Sequence, residues 1–212
     1  MTIKASNLAS SRREFLLNVL PAGILPCFAW GSLSALAFPQ DAQKISENKH
    51  KFQEDSGMSY EEVVSGHYKY DYIPLLQNLS QRLKDIDFIE MLKAVTHEKA
   101  IEGGRELAKR FPINDFAAYT SLNKKFFLSP FFSHVLTFTI VEDTEKVFEK
   151  KITECLFAKT FREANASDIG YATQCYGDYG HAEGFNPKIR LTLTKTLMQG
   201  DDYCNHRWVW EG

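Results

Sequence analysis

The strongest constraint on the fold is an alternating pattern near the C-terminus. Over residues 188–198, large apolar side chains alternate with lysine, arginine and threonine. A period of two is typical of a strand with one buried face and one face in solvent. Gly200, Asp201 and Asp202 supply turn residues, and residues 203–210 have the composition of a second strand. The sequence therefore predicts an antiparallel hairpin at this end of the chain.

A second hairpin and several helices are predicted upstream. The β-branched and aromatic run 135–141 predicts a strand, residues 142–145 a turn, and residues 146–153 a returning strand. Helical spacing predicts a helix from Ser59, one over 87–110 that Gly103 and Gly104 are expected to bend, and others over 115–122, over 155–162 and from Asp168. The predicted fold class is α+β, with N-terminal helices followed by an antiparallel sheet of about four strands and two inserted helices.

The first 37 residues resemble a bacterial twin-arginine (Tat) signal peptide. The segment 11–17 (SRREFLL) carries the arginine pair, an apolar run follows, and 35–37 (ALA) supplies a cleavage site. Residues 38–58 are polar and are predicted to be a flexible linker, which leaves 59–212 as a single α+β domain. The signal implies a periplasmic or exported protein that crosses the membrane folded, with the twin-arginine export machinery as a partner.

Two other partners are disfavoured. If the leader were not cleaved, it would anchor the protein in the membrane, although its prolines and serines make it a poor span. After cleavage, no stable membrane span is expected. The formal net charge of −2 argues against a nucleic-acid-binding protein, which needs a basic face.

Candidate functional residues concentrate between Cys175 and Trp208. Cys175 and Asp178 are three residues apart and share a face if helical. Cys204 and His206 share a face of the last predicted strand. Asn186 precedes Pro187 in a turn that leads into a strand, where its amide can donate a hydrogen bond. Cys155, beside Leu156, is assigned to the core.

This chemistry allows three interpretations. The first is a catalytic Cys/His pair, and the second is a metal site of Cys, His and Asp ligands that suits zinc. The third is a Cys175–Cys204 disulfide that pins a helix to the sheet, and inert buried thiols are the remaining possibility. The sequence requires no cofactor, although a divalent metal is compatible with these side chains.

Several segments together resemble the L-2-amino-thiazoline-4-carboxylic acid hydrolase family. They are 155–163 (CLFAKTFRE), 168–172 (DIGYA), Cys175 with Asp178, 185–187 (FNP) and 195–207 (KTLMQGDDYCNHR). The resemblance covers about residues 153–210, and their combined spacing is specific. One position departs from it, because a basic residue is expected near Leu193. A different substrate would follow if that basic residue binds a carboxylate in relatives.

The resemblance implies an exported hydrolase that opens a small cyclic amidine-like ring at a non-peptide C–N bond and releases a carbamoylated cysteine. Its substrate would be a small molecule. Cys175 would attack or position water, and Asp178 would hold the amidinium group and relay a proton. Asn186 would stabilise the intermediate, and His206 would act as general acid. The alternative function is a periplasmic module that binds a small molecule or metal in the same Cys/Asp/His pocket.

Overall fold

A computed structural model of the protein describes residues 57–212. The predicted signal peptide and nearly all of the predicted linker lie outside these residues. Within residues 57–212, no helix is both long enough and apolar enough to cross a membrane.

The N-terminal part of the described chain is helical, as predicted. Its helices are α1 (Tyr60–His67), α2 (Ile73–Arg82), α3 (Phe88–Ala108), α4 (Phe116–Phe127) and α5 (Pro130–Val135), with a π-helical turn at Tyr68–Tyr72. Ser59 begins α1 through a capping box with Glu62, and Asp87 and Asp115 cap α3 and α4 through their carboxylates. These caps place the three helix starts where the sequence predicts them.

The sheet has four antiparallel strands, which confirms the predicted fold class. The strands are β1 (Leu136–Asp143), β2 (Val147–Cys155), β3 (Ile189–Thr192) and β4 (Cys204–Trp210), and their order across the sheet is β1-β2-β4-β3. The inserted helical segment holds α6 (Leu156–Glu163), α7 (Ser167–Gly170), a π-helical turn (Tyr171–Cys175) and α8 (Gly177–Phe185).

Strand β3 is much shorter than the alternation of 188–198 predicts. The backbone N–H groups of Thr194 and Lys195 donate to the side-chain oxygen of Asn205, and that of Thr196 donates to Asp201. These donors are therefore unavailable to a strand ladder, and the chain leaves the sheet after Thr192. A short 3₁₀ turn (Leu197–Gln199) then ends at Gly200, whose φ of 102° suits glycine.

One face of the sheet is buried against helices. Across β2 and β4 the register pairs Phe148 with Trp208, Lys150 with His206 and Ile152 with Cys204, and all six of these residues are buried. Helices α4 and α8 cover the Trp208 end of this face. The face is otherwise apolar, so Lys150 and His206 stand out in it.

Helices α3 and α8 cross at very short range. A Cβ added at Gly104 would lie 2.5 Å from the His181 carbonyl oxygen, and one at Gly184 would lie 2.2 Å from that of Ile101. Helix α3 is continuous through Gly103 and Gly104. Gly104 therefore allows the two helix backbones to approach closely. This contact holds α8 over the sheet.

Candidate active site

The sequence-predicted residues Asp178 and His206 form a direct pair. Asp178 lies in the first turn of α8, and its Oδ2 atom is 3.1 Å from Nε2 of His206 on β4. The two side chains differ in exposure, at 41% for Asp178 and 9% for His206. A ligand arriving from solvent would therefore meet the carboxylate first, with the imidazole behind it.

The inner side of His206 is enclosed. Its ring stacks on Trp208 with ring centroids 5.5 Å apart, and its Nδ1 atom is buried without a hydrogen-bond partner in the described part of the chain. A buried nitrogen without a partner is costly, because it has given up water without compensation. An unpaired buried nitrogen is unusual for a histidine with only a structural role.

Lys150 lies directly across from His206 and was missed by the sequence analysis. It is 1% exposed, donates from Nζ to Oδ1 of Asn123 at 3.0 Å, and places Nζ 2.8 Å from the centre of the Phe127 ring. Within residues 57–212 it forms no ion pair with a carboxylate. Burial lowers the pKa of Lys150 well below its ordinary value, and the Asp178 carboxylate only partly opposes this shift.

The pattern of apolar residues around Lys150 could have identified it from the sequence. It lies two residues from both Phe148 and Ile152, so the period of a strand puts all three side chains on one face. A lysine between two apolar same-face neighbours is the unusual case, since unpaired lysines are almost never fully buried.

Asp178 is the electrostatic centre of the site. Burial, reinforced by the negative charge of Asp178, raises the pKa of surrounding groups on five segments. The affected groups are those of Tyr119, Cys155, Cys175, Tyr179 and Cys204. Burial lowers the pKa of His181, one turn further along α8, while Asp178 opposes that shift.

The three thiols of the described chain are free, and burial raises the pKa of each. Burial, reinforced by Asp178, raises the pKa of Cys175 well above its usual value, and burial raises that of Cys155 to about 11. Cys204 accepts the N–H of Leu197, yet burial still raises its pKa. A thiol attacks as the thiolate, so this environment does not favour Cys175 as a direct nucleophile.

The structure also bears on the other two interpretations of the cysteines. Cys175 and Cys204 are not bonded to each other. Residues 57–212 contain no group of three or more His, Cys, Asp or Glu side chains placed to hold a metal ion. Cys155, assigned to the core from sequence, is half-buried at the start of α6 and lines an open cavity of about 750 Å³.

Asn186 lies apart from the Asp178–His206 pair. It ends α8 at the opposite terminus from Asp178, its Nδ2 donates to the carbonyl of Asn114, and its Oδ1 accepts the N–H of Lys188. Both polar atoms of the amide are thus used in holding the turn before β3. Leu193 is half-buried in the loop that follows β3.

Comparisons with known proteins place the chain by family. No curated protein matches it significantly. Among solved structures, the Fe(II) unliganded H-NOX protein from K. algicida is 15% identical, covers 66% of this chain and 71% of its own, and has a TM-score of 0.33. A point mutant of that protein is 13% identical, covers 68% and 73%, and has a TM-score of 0.32. These likenesses are too distant to inform fold or function.

The comparison with protein families gives the informative match. The profile of the L-2-amino-thiazoline-4-carboxylic acid hydrolases matches residues 65–208. That range runs from α1 to β4 and contains Lys150, Asp178 and His206. This chain therefore belongs to the L-2-amino-thiazoline-4-carboxylic acid hydrolase family.

Proposed function

We propose that this protein hydrolyses a small cyclic amidine of the 2-amino-thiazoline carboxylate type, with Asp178 as the general acid and base. The observation that carries the proposal is the Asp178–His206 pair, in which a solvent-facing carboxylate is held by a buried imidazole. Family membership supplies the substrate class. A carboxylate positioned in this way can take a proton from water and return it to a leaving group.

The proposed step adds water at the ring carbon between nitrogen and sulfur. Asp178 removes a proton as the water oxygen bonds to that carbon, and a tetrahedral intermediate forms. The ring C–N bond then breaks, and both water protons end on the departing nitrogen, which becomes a primary amine. An amine must be protonated to leave, and Asp178 is the group placed to return that proton.

In this proposal His206 changes its expected role, and Cys175 keeps one of the two roles expected from sequence. His206 becomes a positioning residue, because its Nε2 is engaged by Asp178 and the rest of its ring is enclosed. Cys175 is assigned to positioning water, since burial and the Asp178 charge keep its thiol protonated. The same carboxylate is available to pair with a cationic amidinium group of the substrate.

The purified protein is expected to open 2-amino-thiazoline-4-carboxylate and to release an amine without a new thiol. Breaking the ring C–N bond leaves sulfur attached to the carbamoyl carbon, whereas breaking C–S frees a thiol. Product would be followed by mass spectrometry, by an amine-reactive dye and by a thiol-specific reagent, with protein alone as the background control. A product bearing a free thiol would contradict the C–N assignment, and no ring opening would contradict the proposed substrate.

We also propose that the protein is exported through the twin-arginine pathway. The support is the sequence of residues 11–37, with Arg12 and Arg13 ahead of an apolar run and a small-residue cleavage site. Replacing both arginines with lysine in the full chain is expected to retain the protein in the cytoplasm. Fractionation that finds the double variant in the periplasm at wild-type levels would argue against this route.

A further inference from the structure

The proposed ring opening moves two protons, and Asp178 has one oxygen available to carry them. The first proton leaves water when its oxygen bonds to the ring carbon. The second leaves the hydroxyl of the tetrahedral intermediate when the C=O bond forms, while the ring nitrogen takes up a proton. Oδ2 of Asp178 is engaged by His206, and within residues 57–212 Oδ1 forms no hydrogen bond. One oxygen cannot serve the hydroxyl and the nitrogen at once, so the reaction calls for a second proton acceptor.

His181 lies one turn after Asp178 on α8. Residues three apart on a helix are neighbours on one face, with Cβ atoms about 5–6 Å apart. The His181 side chain is half-buried, and its ring tilts against that of Tyr119 on α4 with the ring centroids 6.3 Å apart. Neither ring nitrogen forms a hydrogen bond within residues 57–212, and neither is fully buried. An accessible imidazole with both nitrogens available therefore stands beside the carboxylate.

The other ionisable side chains around Asp178 are poorly suited to take a proton from a substrate. Lys150 and Tyr119 are 1% and 2% exposed, and burial raises the pKa of the Tyr119 hydroxyl and of the Cys175 thiol. An imidazole ordinarily titrates near neutral pH. Burial lowers the pKa of His181, and Asp178 opposes the shift less strongly than burial causes it. The ring is therefore a neutral base at pH 7.

We propose that His181 is a second catalytic residue, which takes the hydroxyl proton of the tetrahedral intermediate and gives it to the departing nitrogen. The inference rests on the proposed function, because it completes the proton transfers of the same ring opening. Asp178 carries the first water proton to the ring nitrogen, and His181 carries the second. The two side chains thereby act in turn on one intermediate.

The two transfers balance without a further reactant. After Asp178 has returned the first proton to the ring nitrogen, the O–H electron pair of the intermediate forms the C=O bond. The C–N electron pair moves to the nitrogen, and the hydroxyl proton passes to a ring nitrogen of His181. The resulting imidazolium is stabilised by the neighbouring carboxylate. It gives its proton to the departing nitrogen, so both water protons end there and both side chains regain their starting forms.

The test replaces His181 with glutamine in the full chain, with His67→Gln as the matched control. His67 is an exposed histidine in the last turn of α1. Because neither ring nitrogen of His181 is bonded, glutamine leaves no partner unpaired and the fold should be retained. We expect His181→Gln to lower kcat about 100-fold with a much smaller change in KM, since a proton carrier is lost. His67→Gln should leave both constants unchanged.

The pH profile of the wild type is a readout that a structural role would not move. The ionisable groups facing the His181 ring are Asp178 on the same helix and Tyr119 from α4, whereas α3 meets the His181 backbone through Gly104. A base must be unprotonated, so kcat/KM should fall as pH is lowered through the His181 pKa, which lies below the ordinary value of about 6.5. Proton NMR of the free protein measures that pKa directly.

The combined results separate this inference from the proposed function. Ring opening by the wild type, with kcat of His181→Gln within about twofold of it, would overturn the inference and leave the proposed function standing. A wild-type profile with no inflection at the pKa that NMR assigns to His181 would also overturn it, and this measurement does not depend on how the variant folds. A wild type that opens no ring would overturn the proposed function, and the second proton transfer with it.

Discussion

Replacing Asp178 with asparagine is expected to lower the ring-opening kcat by roughly 10²–10⁴-fold, the range typical of a general acid–base residue. Asparagine keeps the size of the side chain and a hydrogen bond to His206, but it can neither take nor return a proton. The carboxylate is 41% exposed, so the substitution leaves no buried group unpaired and the fold should be unaffected. Steady-state kinetics with circular dichroism on the same samples would check both expectations.

Two further variants test whether the loss of kcat is specific to Asp178. Asp85→Asn removes an exposed carboxylate that forms no ion pair among the described residues, and it should leave kcat unchanged. Cys175→Ser should retain kcat within about tenfold, because a hydroxyl can position water as a protonated thiol does. A loss at Cys175→Ser as large as that at Asp178→Asn would favour a covalent thiol mechanism instead.

Replacing Gly104 with alanine is expected to destabilise the fold by about 3 kcal/mol and to lower Tm by roughly 6–12 °C. The added Cβ would lie 2.5 Å from the His181 carbonyl oxygen, 2.7 Å from the Phe185 nitrogen and 2.9 Å from the Gly184 carbonyl carbon. All three are backbone atoms of α8, so no side chain can rotate to make room. The helices must separate, and the separation would also displace Asp178 on α8.

Gly103→Ala is the matched control in the same helix. Nothing lies within 4 Å of a Cβ added at Gly103, and its backbone is helical. Alanine there should stabilise the fold by about 0.5–1 kcal/mol, because glycine loses more backbone entropy in a helix. Thermal unfolding of both variants checks the pair of predictions, and equal effects at the two positions would contradict the packing of α3 against α8.

The α+β fold could be predicted because its signals are local. Ser59, Asp87 and Asp115 are the side chains that cap helix starts, and the run 135–141 has the composition of a strand. Asp178 and His206 were also singled out from residue type. Their direct contact joins positions 28 residues apart, and no local pattern reports such a distance.

Long-range contacts account for the features that the local sequence does not reveal. The alternation at 188–198 continues past Thr192, but Asn205 and Asp201 take the backbone donors that a longer strand would need. Asn186 has the chemistry of a catalytic amide, yet Asn114 and Lys188 use both of its polar atoms. Lys150 was treated as one charge among several, because its burial depends on the helices that cover the sheet.

A double-mutant cycle on Asp178→Asn and His206→Gln tests most directly whether the pair acts as one unit in ring opening. Residues that act together lose most of their effect when either is removed, so their losses do not add. We predict that the double variant has a kcat within about threefold of Asp178→Asn alone. Losses that multiply across the two substitutions, in proteins with unchanged circular dichroism, would contradict a joint role for the carboxylate and the imidazole.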